Sequence, residues 1–217
     1  MISGPSSARR SGGVFVTGTD TGVGKSFVSA CLVRAWGAAY FKPLQTGLAD
    51  ESGDSETIAG LVPGVHVIPP VYAFDAPLAP DEAAVREGRV IDPRRLVAPD
   101  WRGPLVVEGA GGVMVPVCPG VMMADVITRL ALPVVLVARS GLGTINHTLL
   151  SLEALRTRGA HIAGVVMNGP PAPHNRRAIE THGAVRVLAE IPHVDDISAD
   201  TVTTTARLIP ALADVIG

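Results

Sequence analysis

A glycine-rich stretch near the beginning of the chain has the sequence Gly18-Thr19-Asp20-Thr21-Gly22-Val23-Gly24-Lys25-Ser26. It follows an apolar run, residues 13–17, and precedes a helical pattern, residues 26–36. In such a loop successive backbone N–H groups converge on phosphate oxygens, and the N-terminus of the helix adds a favourable dipole. The stretch therefore predicts a phosphate-binding loop in which Lys25 reaches the outer phosphates and Ser26 offers its hydroxyl to Mg²⁺.

The match to the strict pattern G-x-x-x-x-G-K-[ST] fails at one residue. Thr19 stands where the first glycine belongs, and Gly18 lies one place earlier. The alternative interpretation is an ordinary glycine-rich turn that caps a helix. The order of strand, loop, Lys-Ser and helix favours phosphate binding.

Short apolar runs without polar alternation recur along the chain, which is typical of strands buried on both faces of a sheet. They cover residues 13–17, 38–41, 105–107, 133–138, 162–167 and 185–191. Helical patterns lie between them, at residues 26–36, 55–61, 124–130, 146–158, 176–181 and 201–215, and Asp92-Pro93 is typical of the start of a further short helix. The alternation predicts an α/β fold with a single doubly wound, mostly parallel sheet, the P-loop NTPase fold. We expect one domain, residues 14–217, after a flexible leader, residues 1–13.

Composition excludes several classes of protein. Of the 217 residues 47% are hydrophobic and 18% are charged, which is unlike a disordered chain. The net charge is −2 and no long basic run occurs, so nucleic acid is not the expected partner. No apolar run approaches the roughly 18 residues of a membrane span, so no membrane partner is expected. Cys31 and Cys118 have no metal-ligand spacing and apolar neighbours, which favours a reducing compartment, the cytoplasm.

Charged side chains follow the predicted strands at the edge where ligands bind in open α/β sheets. Glu108 ends the run 105–107 and is the expected carboxylate ligand of Mg²⁺. Asp54 is a second metal candidate, although an Asp before a helix is also a common N-cap. Lys42 follows the second strand, and the chain has only two lysines against 16 arginines. We interpret Lys42 as a functional cation rather than a surface lysine, because Arg is not equivalent to Lys where a compact charge is needed.

The chain resembles one family, the ATP-dependent dethiobiotin synthetases. Besides the loop, the resemblance is carried by three segments at strand ends and one at the end of the last strand. They are Phe41-Lys42-Pro43-Leu44-Gln45-Thr46-Gly47, Val107-Glu108-Gly109-Ala110-Gly111-Gly112, Leu142-Gly143-Thr144-Ile145-Asn146-His147 and Glu190-Ile191-Pro192. The family's GTxTxVGK[ST] form of the loop accounts for the missing first glycine.

The resemblance implies a chemistry. The family converts 7,8-diaminopelargonate, CO₂ (or bicarbonate) and ATP into dethiobiotin, ADP and phosphate, through a carbamate and a carbamic–phosphoric anhydride. It implies Mg²⁺ as cofactor and a homodimer in which the substrate carboxylate is bound across the subunit interface.

The resemblance also implies roles for residues. Lys25 and Lys42 are the expected catalytic residues, and Ser26, Asp54 and Glu108 are the expected Mg²⁺ ligands. The substrate residues are Thr46, Glu108, Gly109, Ala110, Gly111 and Asn146. The nucleotide residues are Thr21, Gly22, Val23, Gly24, Lys25, Ser26, Phe27, Asp54, Glu108, Asn168, Gly169, Pro192, His193 and Val194.

Two other functions are weighed against this one. An amidotransferase synthetase of the cobyrinic acid type needs a glutaminase part, for which the chain has no room. A partitioning or site-selection ATPase carries an additional lysine early in the loop, and residues 18–23 contain none. His147 is expected to pack or cap a helix rather than act as a base.

Overall fold

Seven parallel strands form the central sheet in the computed structural model, which describes residues 12–49 and 52–217. Their order across the sheet is β11-β10-β9-β1-β6-β2-β4. These strands are β1 (Gly13–Gly18), β2 (Ala39–Phe41), β4 (Val67–Ile68), β6 (Leu105–Gly112), β9 (Val134–Arg139), β10 (Ile162–Asn168) and β11 (Val187–Ile191). Two small two-stranded sheets lie beside it, formed by β3 (Leu44–Gln45) with β5 (Tyr72–Ala73), and by β7 (Pro116–Cys118) with β8 (Val121–Met122).

Helices connect the strands and cover both faces of the sheet. They are α1 (Lys25–Trp36), α2 (Asp54–Leu61), α3 (Pro80–Arg86), α4 (Met123–Leu130), α5 (Thr144–Thr157), α6 (Pro173–Gly183), α7 (Ala199–Thr205) and α8 (Leu212–Ile216). Single 3-10 turns lie at Pro93–Arg95 and Ala206–Leu208. The first of these has Asp92 as its N-cap, whose side chain accepts a hydrogen bond from the backbone of Arg94, as the Asp-Pro pair predicts.

The core consists of two apolar layers, one on each face of the sheet. Alternate residues of a strand point to opposite faces, so Phe15 and Val107 pack on one side with α4, α5 and α6. Val16, Tyr40 and Val106 pack on the other side with α1, α2 and α7. Because helices cover both faces, the strands are mostly apolar, and charged or polar residues such as Glu108 and Asn168 lie toward their carboxyl ends. The prediction of a doubly wound, mostly parallel α/β sheet is confirmed.

The predicted helix over residues 201–215 is wrong. Helix α7 ends at Thr205, a 3-10 turn follows, and α8 begins only at Leu212. Pro210 lies in the gap, where its ring removes a backbone donor and cannot continue a helix. The helical periodicity of the two segments comes from their separate contacts with the same apolar layer, through Val202 and Val215.

Two boundaries near the expected site also differ from the prediction. The strand predicted at residues 105–107 continues to Gly112, because its parallel pairing with β1 runs to the pair Val16 and Glu108 and, after a shift in register, resumes at the pair Gly18 and Gly112. Helix α5 begins at Thr144 rather than near Asn146, since Gly143, with φ 87°, makes the turn that starts it.

The predicted leader, residues 1–13, lies almost entirely outside the described residues. Its last residue, Gly13, is buried and begins β1. Among the described helices, none has both the length and the apolar character that crossing a membrane requires.

Candidate active site

The loop between β1 and α1 has the backbone of an anion cradle. Gly24 precedes the helix with φ 90°, and no side chain caps the first turn of α1. The N–H groups of that turn are therefore available to a negatively charged ligand. Lys25 begins the helix and its Nζ donates to the backbone oxygen of Asp20 at 3.1 Å, so the ammonium lies folded over the loop.

Glu108 lies at the centre of the site, within β6 and fully buried. Oε1 accepts a hydrogen bond from Lys42 Nζ at 2.9 Å and lies 3.1 Å from Ser26 Oγ. Oε2 accepts from the hydroxyl of Tyr40 at 3.0 Å. A buried carboxylate is costly unless it is paired and hydrogen-bonded, and both oxygens of Glu108 have partners.

Asp54 is the first residue of α2 and contacts both Lys42 and Ser26. Its helix is held in place from β3, where the buried amide of Gln45 accepts a hydrogen bond from the backbone N–H of Ser55 at 3.2 Å. The N-cap residue of α2 is Gly53, so the alternative that Asp54 is an N-cap is wrong; its carboxylate faces Lys42 and Ser26 at the mouth of the loop.

The charges of the cluster shift one another's pKa values. Burial alone would lower the pKa of the Lys42 ammonium, but the negative charges of Glu108 and Asp54 outweigh it, and the pKa is raised. Burial alone would raise the pKa of Asp54, but Lys42 and the Ser26 hydroxyl outweigh it, and the pKa is lowered. Burial lowers the pKa of Lys25, and the charge of Glu108 does not fully offset this. Near neutral pH both Lys42 and Asp54 are charged.

Ser26, Asp54 and Glu108 form an oxygen donor set that fits Mg²⁺. Ser26 Oγ has a single proton, so it donates to only one of the two carboxylates at a time, and its lone pairs can face a cation. Mg²⁺ is usually held by one or two carboxylates together with substrate phosphates and water. Two carboxylates and one hydroxyl, adjacent to a phosphate loop, match that chemistry.

Of residues 109–111, the structure brings Gly111 against the phosphate loop. Gly109 and Ala110 are buried in β6, and Gly111 has φ 64°, a conformation that favours glycine. A Cβ added at Gly111 would lie 3.5 Å from Thr21 Oγ1. Thr46 directly follows β3 and is partly buried.

Asn168 is joined to the phosphate loop. Its Nδ2 donates to the backbone oxygen of Val23 at 3.0 Å, so this amide group is already engaged on the loop. Gly24 has no room for a side chain there, because an added Cβ would lie 2.1 Å from the same Nδ2. Gly169 donates to the backbone oxygen of Ile191 at 2.8 Å, which joins the ends of β10 and β11.

The remaining predicted residues differ in how they could reach a ligand. Pro192 and His193 are exposed beyond β11. Val194 is partly buried against the apolar layer between the sheet and α1. Phe27 is buried in that layer, so only its backbone could face a nucleotide. Asn146 is exposed in the first turn of α5, and no hydrogen bond between described residues joins it to the cluster around Glu108.

Sequence reasoning missed three side chains of the site. Tyr40 donates a hydrogen bond to Glu108, and Gln45 accepts one from the first turn of α2. Arg139 forms an ion pair with Asp20 of the loop at 2.8 Å. Gln45 lies inside a segment already singled out, and Arg139 directly follows the predicted strand at residues 133–138. For Arg139, the position after a strand end was the available signal.

Solved structures of other proteins share the fold. A ParA family ATPase from Chlorobium tepidum TLS matches with a TM-score of 0.57 at 14% identity, over 91% of this chain and 98% of that one. The Pyrococcus furiosus cell division ATPase MinD matches with a TM-score of 0.55 at 18% identity, over 90% and 97% of the two chains. At such identities the likeness concerns the fold alone.

Sequence relatives are much closer. The bifunctional biotin biosynthesis protein BioCD of Bordetella avium is 56% identical over 210 residues, and the match spans 96% of this chain but 45% of that protein. The ATP-dependent dethiobiotin synthetase BioD of Paramagnetospirillum magneticum is 55% identical over 190 residues, which are 88% of this chain and 92% of that protein. The BioD of Agrobacterium fabrum is 43% identical over 187 residues, 85% and 88% of the two chains.

The parallel sheet and the loop between β1 and α1 define the chain as a P-loop NTPase. The model of a family described as an AAA domain matches residues 12–201. The chain belongs to the ATP-dependent dethiobiotin synthetase family.

Proposed function

We propose that this chain closes the ureido ring of dethiobiotin from 7,8-diaminopelargonate and CO₂ at the expense of ATP, a step of biotin biosynthesis. The observation that carries the proposal is the buried contact of Lys42 with Glu108 beside the phosphate loop of Lys25. Two lysines at one phosphate site suit a reaction in which negative charge moves between oxygens.

The steps need no redox partner, and the protons that the two amines lose pass to water. One amine of the substrate adds to CO₂, loses a proton and forms a carbamate. A carbamate oxygen attacks the γ-phosphorus of ATP, the bond to ADP breaks, and a carbamic–phosphoric anhydride results. The second amine then attacks the carbamate carbon and loses a proton, the ring closes, and phosphate leaves.

Lys25 and Lys42 stabilise the charge that moves in these steps. Lys25 lies over the loop that would hold the β- and γ-phosphates of the nucleotide. Lys42 is held at the neighbouring strand end by Glu108 and Asp54, where it can face the carbamate and the transferring phosphoryl group. Neither lysine acts as a nucleophile in this scheme, and the raised pKa of Lys42 keeps it cationic.

Ser26, Asp54 and Glu108 would hold Mg²⁺. When bound, the ion neutralises phosphate charge and orients the γ-phosphate. Glu108 is rigid because it is buried on a central strand, whereas Asp54 is carried by α2 and completes the set from the other side.

The rest of the assigned residues would position the two substrates. The backbone of residues 21–27 would cradle the phosphates, and Asn168, Gly169 and residues 192–194 would surround the base. Thr46 and the backbone of residues 108–111 would position the diamine and its carbamate; in support, Glu108 contacts Lys42 and Gly111 lies beside Thr21 of the loop.

We also propose a cytoplasmic homodimer. The carboxylate of the diamine lies several methylenes from the reacting nitrogens and needs its own anchor. Asn146 and the N–H groups at the start of α5 offer one on an exposed surface, which a second copy of the chain could use. Dimerisation would thereby complete the substrate site.

The test is the incorporation of carbon from bicarbonate. The chain is incubated with ATP, Mg²⁺, the diamine and ¹³C-bicarbonate, and the product is analysed by mass spectrometry. We expect one ¹³C in the ureido carbon of dethiobiotin for each phosphate released, and none with Lys42→Ala. Nucleotide turnover without labelled product would contradict the proposed function.

A further inference from the structure

The chain has two tyrosines, Tyr40 and Tyr72. Of these, Tyr40 lies beside the phosphate-loop site, through its contact with Glu108. Its side chain is fully buried, on the face of the sheet that packs against α1. The hydroxyl donates to Glu108 Oε2 at 3.0 Å.

The position of this contact follows from the register of the sheet. Tyr40 pairs with Val106 across β2 and β6, and Glu108 lies two residues further along β6. Residues two apart on a strand point to the same face, so Tyr40 and Glu108 lie on one side of the sheet as diagonal neighbours. A phenol is long enough to bridge that diagonal, and it offers one donor at its tip.

The two oxygens of Glu108 have different partners. Oε1 faces the functional side, where Lys42 and Ser26 lie 2.9 and 3.1 Å away. Among the described side chains Oε2 has Tyr40 as its hydrogen-bond donor. A half-turn of the carboxylate only exchanges two equivalent oxygens, but a rotation out of its present plane would break the Tyr40 contact, so this contact favours one orientation of the carboxylate plane.

We propose that Tyr40 is a positioning residue for Glu108: its hydroxyl fixes the carboxylate so that Oε1 is presented to the metal beside Ser26. The inference rests on the proposed metal site of Ser26, Asp54 and Glu108. Tyr40 contacts neither nucleotide nor metal in this account, and it acts through Glu108 alone. Partners that orient a ligating carboxylate are worth about 10–100-fold in metal affinity.

Tyr40→Phe tests the role, because it removes the hydroxyl and keeps the ring that packs in the core. Tyr72→Phe is a matched control. Tyr72 is also buried, and its hydroxyl accepts a hydrogen bond from the backbone of Asp92 at 2.9 Å, far along the chain from the site. The measured quantity is the dissociation constant of ADP in EDTA divided by that in excess Mg²⁺, both from titration calorimetry. A large ratio means that the metal strengthens ADP binding.

We expect Tyr40→Phe to reduce this ratio by about 10-fold or more while ADP affinity in EDTA stays at the wild-type value. Tyr72→Phe should leave both unchanged. A purely structural role of Tyr40 would instead lower the melting temperature and weaken ADP equally with and without metal. That result, or an unchanged ratio in Tyr40→Phe, would overturn the inference. A wild-type ratio near one would instead overturn the metal site itself.

Discussion

Nζ of Lys42 lies 2.9 Å from Oε1 of Glu108, and both side chains are buried at the carboxyl end of the sheet, at 4% and 0% exposure. Burying two opposite charges costs about as much as their attraction returns, so such a pair is poor evidence for a role in stability alone. The pair lies beside the phosphate loop, and Asp54 adds a second carboxylate to Lys42. A function in charge stabilisation explains why it is kept there.

Replacement of Lys42 by Arg should be nearly as damaging as replacement by Ala. We expect each variant to lose at least about 10²-fold in turnover, as for a lost charge stabiliser. The planar guanidinium is larger than an ammonium and cannot take the enclosed place between Glu108 and Asp54. Steady-state turnover decides the matter, with ADP affinity as the control for folding. A Lys42→Arg enzyme that works at close to the wild-type rate would refute the argument.

Asp54 should contribute to stability at neutral pH and lose that contribution in acid. Its pKa is lowered in the folded chain because Lys42 and Ser26 outweigh burial. The contribution is therefore present above the unfolded value, near 3.8, and lost as pH falls through the folded pKa. Urea unfolding of wild type and Asp54→Asn should differ by about 1–2 kcal/mol at pH 7 and by less at pH 3. An equal difference at both pH values would contradict this.

Gly24→Ala should disturb the loop much more than Gly22→Ala. Both glycines have positive φ, so each variant has backbone strain of the same kind. At Gly24 the added Cβ would also collide with Asn168 Nδ2, whereas at Gly22 no atom of the described residues lies within 4 Å. We expect ATP affinity to fall at least about 10-fold further in Gly24→Ala than in Gly22→Ala, since a displaced Asn168 leaves the Val23 carbonyl unpaired. Equal losses of ATP affinity in the two variants would show that the close approach of Gly24 to Asn168 is unimportant.

Asn146→Ala should raise the KM for the diamine and leave ATP affinity nearly unchanged. Asn146 is exposed in the first turn of α5, and no hydrogen bond between described residues joins it to the phosphate loop, so we expect its loss to remove only the carboxylate anchor. Dilution to monomers should have the same selective effect. Titration calorimetry with each ligand measures both affinities. Equal weakening of ATP and diamine would reject the cross-subunit anchor.

The parts that sequence analysis predicted well depend on local pattern. The strand, glycine loop and helix around Lys25 are contiguous, and buried parallel strands consist mostly of apolar residues, so the loop and the strands were both visible in the sequence. A single helix over residues 201–215 was wrongly predicted because the prediction followed the apolar periodicity and ignored Pro210. A proline removes a backbone donor that a helix needs.

The parts that were missed depend on pairing across the sheet. Tyr40 looks like a core aromatic until the register of β2 against β6 sets it diagonal to Glu108. In the same way Gln45 acquires a role only when β3 lies against the start of α2. Such contacts join residues far apart in sequence, and no local pattern encodes them. The roles of Asn146 and of residues 192–194 stay predictions.

Phosphate release from ATP, measured with and without the diamine and bicarbonate, tests the central claim most directly. No side chain of the described cluster is free to activate water, because Glu108 is paired with Lys42 and Tyr40, and Asp54 with Lys42 and Ser26. We therefore predict little release with ATP and Mg²⁺ alone, and rapid release only when both other substrates are present. Robust hydrolysis with ATP and Mg²⁺ alone would contradict the account and favour a nucleotide-controlled switch ATPase.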